Sequence, residues 1–232
     1  MNNEITEKGL ELIAGHLESR LGQFPQVEVE TYLYTLPENY SMYDVQTLAE
    51  RIAGRMGLVG YTPVIQLEHL PFDVGGMINL NDLKIVYIKI DKGRFNGHAY
   101  KPVELVATIA HEMAHKLLWS RGFKDTTQKI EFMTDACAVY AGFGYFLHQA
   151  AEMVVGQQNN GMMSYQQIRK VGYLERWQID YLRSRFFDAN LAVESAEEEE
   201  SESKSGSKFG ATEIGLVLIL LALLLMGIIF LR

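Results

Sequence analysis

A single cysteine, Cys137, stands in a chain of 232 residues. That excludes a disulfide framework and a zinc knuckle built on thiolates. It is compatible with a reducing compartment. Positive charge is also scarce: 21 Lys and Arg face 29 Asp and Glu, a formal net charge of −8. No basic stripe or cluster is present, so the phosphate contacts that nucleic-acid binding needs are missing. The opening stretch, MNNEITEKGLELIAGHLESRLGQFP, lacks the basic start and unbroken apolar run of a secretory signal. No internal repeat is found within residues 1–190.

What is present divides the chain into three parts. Residues 1–190 have the apolar content of a folded domain, in an order that predicts an α+β fold. The expected elements are a helix at 4–21, with Leu10, Ile13, Leu17 and Leu21 along one side, and a strand near 26–35. A helix at 41–57, a strand at 62–68, a short strand near 75–80 and a strand at 83–90 follow. Pro102 suits the first turn of a helix that runs to about Ser120 and is closed by Gly122. A second long helix is expected over 127–151, a short one capped by Ser164, and a last one over 174–187. The strand LKIVYIKI before the motif helix has the composition of an ordinary sheet strand. At a sheet edge it could instead pair with an extended peptide.

Residues 191–213 are acidic, rich in Ser and almost free of apolar side chains around ESAEEEESESKSGSK. Such a segment is expected to be a flexible linker. Ile214 to Leu231 is then an 18-residue run without charge. At 1.5 Å per residue it reaches ~27 Å, close to the hydrocarbon thickness of a bilayer. It is expected to be a transmembrane tail anchor, with the body on the cytosolic side.

TIAHEMAHKLLW, at 108–119, holds His-Glu-x-x-His within a helical pattern. On a helix His111 and His115 lie about 40° apart and one turn up, so both imidazoles can face one ion. Glu112 lies beside the ion, where a carboxylate can take a proton from an attacking water. A catalytic zinc keeps three protein ligands and one open position. The metzincin continuation fails, because Leu118 and Arg121 stand where Gly and His are needed. Sixteen residues beyond His115 comes EFMTDACAVYAGFG, with Glu131 and Asp135 four apart. Ala138 and Gly142 share their face, so this helix can pack closely on the first and bring Glu131 to the metal. Asp135 can then accept a hydrogen bond from the second nitrogen of a ligand histidine. The spacing itself permits either acid as the ligand.

His-Glu-x-x-His with a downstream Glu-x-x-x-Asp resembles the gluzincin, or thermolysin-like, metallopeptidases. The resemblance covers His111 to Asp135. It implies a zincin-like domain, one Zn2+ on His111, His115 and Glu131, Glu112 as general base, and Asp135 supporting a histidine. The wider pattern, GGMINLN, TDACAVYAGFG and GYLER, is similar to small bacterial families of predicted zinc peptidases without assigned substrates. The implied function is a membrane-tethered metallopeptidase acting on peptides or proteins. The alternative is a non-catalytic, zinc-stabilised interaction module on a membrane, but a purely structural metal site has no use for Glu112.

Other candidates carry less. Cys137 reads as a small core residue, and His148 falls off the Glu131 face. His16 and His69 have no partners at metal spacing. Arg94, His98 and Tyr100, in the loop before the motif helix, are the residue types that can stabilise an oxyanion, though as loop residues they are expected to face solvent.

Overall fold

Thr6 opens the first helix, α1 (Glu7–Leu21), where its hydroxyl accepts the Gly9 N–H. Leu10, Leu17 and Leu21 are buried along one side, the face the spacing predicts. A single helical turn, α2 (Thr31–Tyr34), stands where a strand was expected. Among the described residues no strand pairs with the β-favouring TYLY, and strand propensity is realised only through pairing and burial. Ser41 and Asp44 then form a reciprocal capping box that starts α3 (Met42–Arg55).

Three strands follow: β1 (Thr62–Glu68), β2 (Gly76–Ile78) and β3 (Ile85–Asp91). The sheet order is β1-β3-β2, with β1 parallel and β2 antiparallel to β3. Val86, Ile88 and Ile90 are fully buried on one face of β3. The LKIVYIKI segment therefore supplies most of the central strand, paired with β1 from Ile85 onward and with β2 over Ile88–Ile90, and is not a sheet edge. The edge beside the motif helix belongs to β2. After β3 come a short α4 (Lys92–Asn96) and the motif helix, α5 (Pro102–Ser120), which has Pro at its start as the sequence predicts.

Of the 19 residues of α5, 14 are buried. It is the central helix, packed against α3 and β2 and against two later helices. Burying a Leu or Ile side chain stabilises by roughly 1.5–3 kcal/mol, so Leu105, Ile109, Leu117 and Leu118 hold α5 firmly in place. Lys116 on the same helix is also buried, and its ammonium donates to the carbonyls of Asn81 and Leu83. That contact ties the β2–β3 connection to the helix that carries the histidines.

The second helix is α6 (Gln128–Ala138), followed by a π-helical turn, Val139–Phe143, and α7 (Gly144–Ala150). The uninterrupted helix expected over 127–151 is thus broken. Gly142 has φ 99° inside the turn, and its carbonyl accepts the Val29 N–H. A Cβ at Gly142 would lie 2.9 Å from Arg55 Nη2 and 3.1 Å from Val27 O. Gly142 serves the docking of the 27–29 segment, not close packing on α5 as expected. Next comes a two-stranded antiparallel pair, β4 (Met153–Asn159) and β5 (Ser164–Arg169). Ser164 therefore begins a strand, not the expected helix. The last helix, α8, covers 176–187.

The computed structural model describes residues 5–187 except 23, 25–26, 72–74, 82, 98, 125–127, 152, 160–163 and 170. Its class is α+β, a small mixed sheet with a mainly helical remainder. Among the described residues no helix is long and apolar enough to cross a membrane. The segments expected to be linker, 191–213, and membrane span, 214–231, lie outside the described residues, as does His98.

Candidate metal centre

Helix α5 places His111 and His115 one turn apart, with ring centroids 4.8 Å from each other. Helix α6 packs across them and delivers Glu131. Glu131 Oε2 lies 3.2 Å from His111 Nε2 and 3.1 Å from His115 Nε2. Ligand atoms ~2.0–2.2 Å from a tetrahedral zinc are themselves ~3.3 Å apart, so these spacings suit one ion. His111, His115 and Glu131 form a group that can hold a metal ion.

The outer nitrogens of both rings are engaged. His111 Nδ1 lies 2.7 Å from Asp135 Oδ1. Asp135 is almost wholly buried, so a carboxylate there needs a donor, and Nδ1–H supplies it. His115 Nδ1 lies 3.1 Å from Thr134 Oγ1, and the Thr134 hydroxyl donates to Ile130 O at 2.7 Å. With its proton committed there, Thr134 accepts from His115 Nδ1–H. Both rings therefore turn Nε2 toward the same Glu131 oxygen. If both rings are neutral, each Nε2 lone pair faces the Glu131 oxygen at hydrogen-bond distance. Only a proton or a metal cation between them resolves that repulsion, which is why the donor set fits a metal.

The charges agree with this reading. Burial alone pushes His111 toward the neutral form, yet its hydrogen bonds to Asp135 and Glu131 carry its pKa up to about 10. Burial pushes Glu131 up, but the His111 and His115 hydrogen bonds outweigh it and bring it down to about 2. The site thus attracts positive charge in its interior.

Glu112 sits one residue after His111 and is buried, not a member of the three-residue group. Its burial raises its pKa, against the lowering effect of the two histidines. A Cβ at Gly76 would lie 3.0 Å from Glu112 Oε1 and 2.7 Å from Thr108 Cγ2. Glycine is needed there for β2 to approach α5 at Glu112. The edge of the sheet thus borders the candidate base.

The sequence-derived group of Glu112, His111, His115, Glu131 and Asp135 is brought together. Asp135 contacts the outer nitrogen of His111, and Glu131 faces the inner ones. Thr134 was missed. Its position three residues after Glu131 puts it on the same helical side, but only the structure shows which ring it meets. Two of the three oxyanion candidates have other work, and Tyr100 is not solvent-facing. Arg94 pairs with buried Glu104 and lies 3.7 Å from the Tyr100 ring centroid. The Tyr100 hydroxyl donates to Gly75 O at 2.9 Å and accepts the Asp91 N–H at 3.1 Å, which holds the approach to β2. Cys137 is buried, and burial raises its thiol pKa, so it is an inert core residue. His148 pairs with Asp180 at 3.3 Å, and His16 packs on Phe123.

Comparison with protein-family models, with curated proteins and with solved structures finds no match to this chain.

Proposed function

We propose that this chain is a zinc-dependent metallopeptidase of thermolysin-like chemistry, with one Zn2+ on His111, His115 and Glu131. The observation that carries the reading is the convergence of both histidine Nε2 atoms on one Glu131 oxygen, with Glu112 buried beside them. Zinc in such a site lowers the pKa of water toward neutrality and polarises a carbonyl. Glu112 takes the proton of the attacking water and passes it to the leaving nitrogen. A carboxyl with its pKa raised by burial is suited to both halves of that transfer. Asp135 and Thr134 hold the rings in the tautomer that leaves Nε2 free for the metal.

The short edge strand β2 supports a peptide as substrate. Among the described residues it pairs with β3 alone, and Gly76 brings its backbone against Glu112. An extended chain added to that edge would run along the strand whose Gly76 lies beside Glu112. The zincin-like architecture is part of the same proposal. So is the tether: 214–231 has the length and composition of a membrane span, which would concentrate the enzyme near membrane-associated substrates.

The test is cleavage of an unstructured peptide mixture by the zinc-loaded full chain. Hydrolysis should stop on chelation and return with added zinc. Zinc binding without cleavage of any peptide would contradict the peptidase reading.

A further inference from the structure

Asp135 is held from a distant part of the chain. Its Oδ1 takes the His111 Nδ1–H at 2.7 Å, while its Oδ2 accepts the backbone N–H groups of Tyr173 and Leu174, the latter at 2.8 Å. Three donors on two oxygens leave the carboxylate one orientation. The neighbouring Gly172 has φ 85°, in the left-handed region that favours glycine. A Cβ there would lie 2.8 Å from Asp135 Oδ2 and 2.9 Å from Oδ1, with the carboxylate carbon at 3.2 Å. A side chain at 172 is thus opposed by backbone conformation and by contact with the carboxylate itself.

The loop is fixed at both ends. Val171 N–H donates to Ala150 O at 3.2 Å, at the end of α7. Beyond it, Gln178 on α8 accepts the Glu175 N–H at 2.8 Å and donates to Ile5 O at 2.8 Å. The Tyr173 ring stacks on His111, 23° from parallel with centroids 6.0 Å apart. The same loop therefore meets the ring directly and through Asp135.

We infer that Gly172 is a positioning residue for the metal centre, acting on His111 through Asp135. The 172–174 backbone orients the carboxylate, the carboxylate orients the imidazole, and Nε2 is thereby aimed at Glu131. This rests on the proposed metal site but not on hydrolysis. It makes the third segment of the centre a backbone loop that contributes no ligand.

The test is a double-mutant cycle read by zinc affinity, measured by chelator competition, and by the His111 Nδ1–H signal in NMR spectra recorded without metal. Gly172→Ala should weaken zinc binding roughly 10–100-fold, the scale of lost support around a ligand. It should also shift or abolish the Nδ1–H signal. Asp135→Ala removes the carboxylate that the new Cβ would strike. In that background Gly172→Ala should cost less than ~2-fold more, because coupled positions are not additive. Unchanged affinity in Gly172→Ala, or full additivity in the double variant, would overturn the inference. Should Gly172→Ala not fold, the parent decides: the Tyr173 and Leu174 amide signals should move on zinc addition, and static signals would overturn it. A parent that binds zinc but cleaves nothing contradicts the peptidase alone. A parent that binds no zinc, yet loses its Nδ1–H signal on Gly172→Ala, contradicts the metal reading and supports the positioning.

Discussion

Thr134 Oγ1 lies 3.1 Å from His115 Nδ1 and donates its own hydrogen bond to the Ile130 carbonyl at 2.7 Å. A threonine hydroxyl thus does for His115 what the Asp135 carboxylate does for His111. The two supports differ in charge: a carboxylate holds one ring and a neutral hydroxyl the other. Thr134→Val keeps the shape and removes the acceptor. It should lower zinc affinity by ~10-fold, at the lower end of the range for such supports. Thr134→Ser should restore most of it. Chelator competition on the two variants decides, and equal affinity for Thr134→Val and the parent would remove the hydroxyl from the site.

Glu131→Ala should cost more zinc affinity than Asp135→Ala, whose effect should remain about 10–100-fold. Glu131 faces both Nε2 atoms, whereas of the ring nitrogens Asp135 meets the outer one of His111. The reverse order, measured in the same assay, would make Asp135 the ligand.

Acidity should act with opposite signs on the stripped and loaded protein. Without metal, the His111 pKa is about 10, above its ordinary 6.5. Its contribution to stability is full below the ordinary value and is lost as pH rises through about 10. Glu131, lowered from 4.5 to about 2, contributes above the ordinary value and is lost as pH falls through about 2. Zinc must displace the His111 proton at neutral pH, so its affinity should climb about tenfold per pH unit above 7. Chelator-treated protein should accordingly melt lower at about pH 9.5 than at about pH 6, with the gap narrowed by zinc. A metal-free protein equally stable at both pH values would contradict the proton assignment.

Gly76→Ala places a Cβ 2.7 Å from Thr108 Cγ2 and 3.0 Å from Glu112 Oε1. Overpacking of this kind costs about 1–3 kcal/mol. Thermal unfolding should show that loss, with reduced hydrolysis because Glu112 is displaced. Thr108→Ser removes the nearest obstructing atom and should recover part of the stability. A Gly76→Ala protein as stable and active as the parent would show that β2 does not need this close approach.

These contacts also mark how far the sequence could be read. Helix α5 was legible from end to end, because Pro102, the apolar spacing and Gly122 act locally. The His111–His115 pair followed from spacing within that helix, while the Glu131–Asp135 interval in the next left two acids open, and it is the fold that puts Glu131 in the group that can hold a metal ion. What depended on distant pairing was not legible. LKIVYIKI is central because β1 and β2 flank it, and no local signal says so. The 26–35 stretch has strand-forming residues, but among the described residues no strand pairs with it. Gly142 was legible as a small residue, but its positive φ serves Val29, far back in the chain. The grip on Asp135 by Tyr173 and Leu174 likewise spans a separation that local patterns do not encode.

The most direct measurement takes Glu112→Gln and the parent, each purified as the full chain, and compares zinc content, folding and peptide hydrolysis side by side. The substitution keeps the size of the side chain beside the three metal-facing groups, but an amide cannot carry the proton. The variant should retain the parent's zinc and melting behaviour while hydrolysis falls by ~10²–10⁴-fold, the contribution of a positioned acid–base group. A variant that holds its zinc and cleaves as fast as the parent would contradict Glu112 as the base, and with it the thermolysin-like mechanism.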